Sequence, residues 1–259
     1  MSELIFQSKT KYSPVFIHKI EAELHLKFDI NSRAVQTVID CEQPQLIKMK
    51  NLQYLMGILN FIPTPKKILL LGIGGGSMVH FFRYHFPDCE LTGVDFDAEL
   101  IEIAQQYLML PKPSSKTQYI SQDAQQFIAE STQQYDLIVV DIFNGSQSPE
   151  WLLSQKTTQQ LSKLLNKKGA IAYNTLLTSD TSFKDFYSLL RVEFGQQTLC
   201  LESDEYENIL LYALNFKNED WSMMDYLYTA QELSARFSLP MNEILAVIYS
   251  INPVDSGVI

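Results

Sequence analysis

An apolar run, Ile68-Leu69-Leu70-Leu71, ends in Gly72-Ile73-Gly74-Gly75-Gly76-Ser77. Three further runs end in acids: Glu90-Leu91-Thr92-Gly93-Val94-Asp95, Thr117-Gln118-Tyr119-Ile120-Ser121-Gln122-Asp123 and Tyr135-Asp136-Leu137-Ile138-Val139-Val140-Asp141. These are the residues equipped for chemistry. Glycine reaches backbone conformations closed to residues with a Cβ and lets the main chain come close to a bound group. A helix starting directly afterwards, as the spacing of Met78, Phe81, Phe82 and Phe86 predicts, offers that group free N–H donors. A carboxylate has two acceptor oxygens, and Asp95, 23 positions beyond Gly72, has the spacing of an acid that binds ribose hydroxyls. Ligands of an open α/β sheet sit beyond the carboxyl ends of the strands, so the glycine turn, Asp95, Asp123 and Asp141 are expected to face one crevice. Singly, each signal has a plain structural reading: the turn as close packing, Asp97 or Asp123 as a helix N-cap. Three acids in register with a glycine turn carry more weight.

Alternating strands and helices must position these residues. From Lys67 to Thr175 the pattern gives the glycine strand, a helix to about His85, the Asp95 strand and a helix over 98–108. The Asp123 strand, a short helix, the Asp141 strand, a helix near 150–165 and the strand Gly169-Ala170-Ile171-Ala172-Tyr173-Asn174 follow. That alternation predicts a parallel sheet with helices on both faces. A helix over 181–194 and a hairpin of 196–201 with 208–215, turning at Ser203-Asp204-Glu205, add a final antiparallel strand. Ahead of the sheet, residues 4–40 alternate about a turn at Asp29-Ile30-Asn31-Ser32 and predict a small antiparallel β unit. Leu46, Met49, Leu52, Leu55, Met56 and Leu59 predict a helix over 45–61, stopped by Pro63 and Pro65. Two tail helices, 223–237 and 241–249, follow, with Trp221 packed. The expected organisation is an N-terminal β unit with its linking helix (1–62), a nucleoside-binding domain (63–216) and a helical tail (217–259).

With 259 residues, 46% of them hydrophobic, the chain can bury a substantial core. No apolar run is long enough to span a bilayer, and the opening Met1-Ser2-Glu3-Leu4 lacks the basic and apolar regions of a secretion signal, so a cytoplasmic location is expected and no membrane partner. The net charge of −10 argues against nucleic acid as a partner and is compatible with a cationic substrate. Three scattered cysteines, Cys41, Cys89 and Cys200, read as reduced thiols. The four histidines do not cluster, and no metal site is expected. An apolar face on the tail reads first as packing within the chain and second as a homodimer contact.

The segments Pro65-Lys66-Lys67-Ile68-Leu69-Leu70-Leu71-Gly72-Ile73-Gly74-Gly75-Gly76, Val94-Asp95-Phe96-Asp97, Gln122-Asp123-Ala124 and Tyr135–Asp141 resemble the spermidine synthase (polyamine aminopropyltransferase) family and its spermidine-synthase-like relatives. The resemblance runs from the β unit to about Thr175 and fades in the tail. It implies a Rossmann-like class I methyltransferase fold that takes S-adenosylmethionine or its decarboxylated form as co-substrate, without a metal. It implies that Gly72, Gly74 and Gly76, with Gly75 between them, pass near the methionine portion. Asp95 would hold the ribose hydroxyls, Asp123 and Ala124 would meet the adenine, and Gln36 in the β unit would face the nucleoside. The sulfonium carries the activation, so the protein has chiefly to align an unprotonated acceptor nitrogen with the carbon transferred.

Departures from the family pattern fall on the acceptor side. Gly75 stands where spermidine synthases carry the acid that binds the aminopropyl amine. Asn144, in Asp141-Ile142-Phe143-Asn144-Gly145, replaces the acid that receives the attacking amine, and an amide is neither a base nor a counter-charge. Lys50-Asn51, with Tyr54 nearby, stands in the region of the family's tyrosine and glutamine. Asp141 remains, either orienting an amine or bonding neighbouring backbone. The leading expectation is a transferase with an S-adenosylmethionine-type donor, a small amine acceptor such as a polyamine, and Asp141 and Asn144 at an atypical active site. The alternatives are a methyltransferase, favoured by Gly75, and a nucleoside-binding protein without turnover, favoured by Asn144. A nicotinamide-dependent oxidoreductase ranks last because Ser77 occupies the third-glycine position.

Overall fold

Short alternating runs near the N-terminus pair as an antiparallel meander: β1 (Ser2–Lys9), β2 (Pro14–Ile20), β3 (Glu23–Lys27) and β4 (Thr37–Asp40), in that spatial order. The computed structural model describes residues 2–145, 147–177, 179–203, 206–217, 221–253 and 257–258. Asp29 makes the turn ahead of β4, its side chain accepting from the Asn31 N–H and its carbonyl from the Ser32 N–H. The helix expected over 45–61 is shorter and changes pitch. It is the six-residue α1 (Lys50–Leu55), followed by a tighter 3-10 segment, Met56–Asn60. Met49 supplies no capping side chain, and Gly57 lies so close to Ile244 and the Tyr212 hydroxyl that a Cβ would meet both at 2.5 Å.

The main sheet follows. Its strands are β5 (Lys67–Leu71), β6 (Glu90–Asp95), β7 (Thr117–Ser121), β8 (Tyr135–Val140), β9 (Leu165–Thr175), β10 (Thr198–Ser203) and β11 (Tyr206–Leu214), in the order β10-β11-β9-β8-β5-β6-β7. β7, β6, β5, β8 and β9 are parallel, while β11 runs antiparallel to both of its neighbours, β9 and β10. A reversed strand inserted before the last is the class I methyltransferase arrangement, distinct from the all-parallel dinucleotide sheet. The expected turn at Asp204 and Glu205 lies outside the described residues.

The connecting helices are α2 (Ser77–His85), α3 (Ala98–Tyr107), α4 (Ala124–Glu130), α5 (Gln155–Lys163) and α6 (Asp180–Glu193), with α7 (Met223–Phe237) and α8 (Met241–Ile251) in the tail. The region expected as a helix near 150–165 becomes helical only at Gln155. Ser154 caps it by accepting from the Thr157 N–H, and residues before the cap turn instead.

Alternation along the strands divides the core. Ile68, Leu70, Leu137, Val139, Ala170 and Ala172 face one cluster, which α7 and α8 join through Tyr226, Leu233, Phe237, Ile244 and Ile248. Leu69, Leu71, Ile138, Val140, Ile171 and Tyr173 face the other, with Phe127, Leu161 and Phe186. Parallel strands covered on both faces must be apolar at every position, which is why these runs do not alternate with polar residues. The tail thus packs within the chain through one face, while Met223, Met224, Leu227 and Tyr228 of α7 stay exposed. Trp221 lies against Tyr226, with ring centroids 5.0 Å apart.

Candidate active site at the strand ends

Backbone hydrogen bonds carry the sheet ladder just past the carboxyl ends of its central strands. Gln122 N–H donates to the Asp95 carbonyl at 3.1 Å, Gly72 N–H to Val94 at 2.9 Å and Asp141 N–H to Leu71 at 2.8 Å. These bonds bring the starts of four loops side by side, and with them the glycine turn, Asp95, Asp141 and the segment leading to Asp123. The turn takes left-handed backbone at Gly72, Gly74 and Gly76 (φ 90°, 52° and 95°). At Gly72 the need is also steric, because a Cβ would run into the Asp141 carbonyl.

Asp95 ties the turn to β6. Its Oδ2 accepts from the N–H groups of Ile73 (3.0 Å) and Gly74 (3.3 Å), and its Oδ1 from Asp97 N–H (3.1 Å). Burial raises its pKa, and these three N–H bonds oppose the rise by favouring the ionised form. Two N–H groups fill Oδ2, while Oδ1 keeps one lone pair for an external donor. The structure therefore leaves room for fewer direct contacts than two free oxygens would provide.

Asp123 is exposed and caps α4, accepting from Gln126 N–H at 3.0 Å through Oδ1, and Ala124 begins that helix half-buried. Asp97 is likewise a cap: Oδ1 accepts from Leu100 N–H and Oδ2 from the Thr10 hydroxyl at 2.6 Å. That second bond fastens the β1–β2 hairpin tip over the loop after β6, where Tyr12 meets Phe96 edge to face at 4.6 Å. Gln36 is exposed and immediately precedes Thr37, whose hydroxyl accepts from Gly75 N–H at 3.0 Å. Thr37 also fills the space beside Gly75, since a Cβ there would lie 2.7–2.8 Å from three of its atoms.

Asp141 closes the other side of the turn. Its Oδ1 accepts from Asn174 Nδ2 at 2.8 Å, and Asn174 Oδ1 accepts in turn from Asn208 Nδ2 at 2.8 Å. Burial pushes the Asp141 carboxyl up to about 6; the Asn174 bond opposes this, and the negative charge of Asp95 adds to it. Asn144 lies three residues further on, exposed, in a tight turn where its N–H donates to the Gln147 carbonyl at 2.9 Å.

Thr37, Asn174, Asn208, Tyr12 and Phe96 were not singled out as site residues from sequence. Asn174 carries a signal as the polar end of the fifth parallel strand, and Phe96 lies within the Val94-Asp95-Phe96-Asp97 segment; Thr37, Asn208 and Tyr12 come from distant segments. A separate groove of about 300 Å³ lined by Lys67, Glu90, Thr92, Lys116 and Gln133 lies at the opposite, amino end of the strands. Among the described residues, no three His, Cys, Asp or Glu side chains form a metal-binding group, and no helix is long and apolar enough to cross a membrane.

A seven-stranded sheet with one reversed strand, bearing a glycine turn and strand-end acids, defines a class I methyltransferase-type fold. Residues 54–182 match the spermine/spermidine synthase domain, the family that the sequence resembles. The polyamine aminopropyltransferase of Chromobacterium violaceum is 24% identical over 228 residues, covering 88% of this chain and 87% of its own. Among solved structures, a probable spermidine synthase from Corynebacterium glutamicum superposes with a TM-score of 0.75 at 16% identity, covering 96% of this chain and 95% of its own. A spermidine synthase in complex with the transition-state analogue AdoDATO gives 0.69 at 14% identity, with 95% and 83% covered. Human methyltransferase-like protein 13 in complex with SAH gives 0.62 at 23% identity, with 73% and 90% covered. At these identities the structural likeness speaks for the fold.

Proposed function

We propose that this protein is a transferase that uses an adenosyl sulfonium compound to alkylate a small amine. The observation that carries the reading is the coupling of Asp95 to the glycine turn through the Ile73 and Gly74 N–H groups, with Asp123 and Asp141 on the neighbouring loops. Asp95 Oδ1 and the outer oxygen of Asp123 would take hydroxyl and amino donors of the nucleoside, and the bare backbone of the turn would border its sulfur-bearing tail. Two relatives support the donor class, one crystallised with AdoDATO and one with SAH.

In the reaction, the acceptor nitrogen's lone pair forms a bond to the carbon being transferred. The carbon–sulfur bond breaks, and its electron pair neutralises the sulfonium to a thioether. The nitrogen is left with one proton too many, which passes to Asp141, the one strand-end carboxylate beside the turn that is neither a helix cap nor a brace for it. The protein's contribution is alignment and proton acceptance, since the leaving group is already activated.

A second reading, methyl transfer from intact S-adenosylmethionine, is favoured by Thr37. A Cβ at Gly75 would lie 2.7–2.8 Å from three Thr37 atoms, which supports a reading in which no acid at that position clamps an aminopropyl amine. Thermal shifts with S-adenosylmethionine, decarboxylated S-adenosylmethionine, methylthioadenosine and NAD test both readings, followed by product analysis with putrescine, spermidine and agmatine. Ligand at one hundred times its Kd adds about 2.7 kcal/mol, or roughly 5–10 °C for a chain of this size. Stabilisation by adenosyl compounds is expected; stabilisation by NAD alone would overturn the proposal. Methylated rather than aminopropylated product would select the second reading.

A further inference from the structure

Three strands meet where Asp141 leaves the sheet, and each contributes one polar side chain to a single line of hydrogen bonds. Asp141 follows β8, Asn174 is the penultimate residue of β9, and Asn208 lies near the start of the reversed strand β11. Asn174 and Asn208 are buried, at 1% and 9% exposure, and Asn174 pairs across the ladder with the apolar Leu210. A buried amide in such surroundings is unfavourable unless its hydrogen bonds are made. Here they are made in one direction only. An ionised carboxylate has no proton to give, so Asn174 must turn its NH₂ toward Asp141, which points its oxygen at Asn208 and makes Asn208 the donor. The line therefore reads Asn208 to Asn174 to Asp141, with every proton directed at the carboxylate.

We infer that Asn174 and Asn208 are positioning residues for Asp141, holding it as an ionised, oriented proton acceptor for the incoming amine. The inference rests on the transferase reading above and deepens it by assigning the acceptor side of the crevice. Asn174 engages Oδ1 alone, and among the described residues Oδ2 has no protein partner and remains for the acceptor. Asn144 does not take this role: it lies on an exposed turn and carries no basic group. Among the described residues, the titratable group whose charge is felt at Asp141 is Asp95, across the glycine turn, and it opposes ionisation. With a like charge opposite and burial around it, Asp141 stays ionised near neutral pH only while hydrogen bonds favour the charged form. Asn208 acts at one remove, because its donated proton polarises the Asn174 amide toward Asp141.

The test is a carboxyl-carbon NMR titration of the full-length chain labelled at aspartate, with the Asp141 signal assigned by its loss in Asp141→Asn. In Asn174→Ala the Asp141 midpoint is expected to rise by about one pH unit, and in Asn208→Ala to rise by less. Calorimetric binding of methylthioadenosine and S-adenosylhomocysteine is expected to be unchanged in both variants. Midpoints equal to the parent's in folded variants, whatever their thermal stability, would overturn the inference and reduce the two amides to structural spacers. Should Asn174→Ala fail to fold, Asn208→Ala alone decides, because its altered side chain does not touch the carboxylate. Absence of adenosyl binding to the unaltered chain would refute the transferase reading instead, and the titration separates that failure from this one.

Discussion

Asp141 brings stability and function into opposition. Its folded-state pKa of about 6 lies above the ordinary 3.8, so the folded chain holds that proton more tightly than the unfolded chain. Stability from this group is therefore complete below pH 3.8 and lost as the pH rises to about 6, a cost on the order of 3 kcal/mol at neutral pH. Asp141→Asn removes that cost and keeps an oxygen for the Asn174 amide. It is expected to raise the melting temperature at pH 7.5, to lose that advantage below about pH 4, and to slow amine transfer by about a hundredfold or more. Melting curves across pH, paired with transfer assays, check both halves. At this scale the strand-end acids were legible from sequence because they close strand patterns, whereas the absence of acids at 75 and 144 showed only against the family that the sequence resembles. Thr37 and Asn208 were not, because neither motif nor period joins Thr37 to Gly75, 38 positions away, or Asn208 to Asn174, 34 positions away.

Elements translate such residues into a crevice, and the turn between β5 and α2 bears the tightest constraint. Gly72→Ala would put a Cβ against the Asp141 carbonyl at a φ of 90°. Left-handed backbone alone costs about 1–3 kcal/mol for a residue other than glycine, and the overlap adds to it. Gly72→Ala is therefore expected to lower the denaturation midpoint and to weaken adenosyl binding, measured by denaturant titration and calorimetry. Gly145→Ala, at a left-handed position with nothing within 4 Å of the added carbon, is the matched control. Strands and helices of the central region were readable from their periods of two and 3.6 residues. Errors fell where tertiary contacts override periodicity. Residues 45–49 share the apolar spacing of α1 yet stay outside it, and the Met56–Asn60 turn tightens where Gly57 meets Tyr212 and Ile244, partners more than 150 residues away.

For the molecule as a whole, the division of the core into two faces governs what solvent can reach. Cys89 and Cys200 lie inside, one in each cluster, and burial raises both thiols, Cys200 to about 12. Cys41 is half-buried beside the N-terminal sheet. A thiolate is the reactive form, so a disulfide reagent at pH 8 is expected to modify Cys41 first and the other two only as the chain opens. Mass spectrometry of a timed reaction would show this order. The dispersal of the thiols was legible from sequence, whereas the face that each occupies follows only from the packing.

β10 is the outer strand of the main sheet, yet part of its open side is occupied. Asn252, just beyond α8, accepts from the Cys200 N–H and donates to the Cys200 carbonyl, both at 2.9 Å, as a paired strand would. One amide thus imitates a neighbouring chain and denies that place to a real one. Asn252→Ala should leave a sticky seam, with light scattering rising on mild heating before helix content falls. The tail would then act as a bookend, keeping the pleated surface from growing by one more copy.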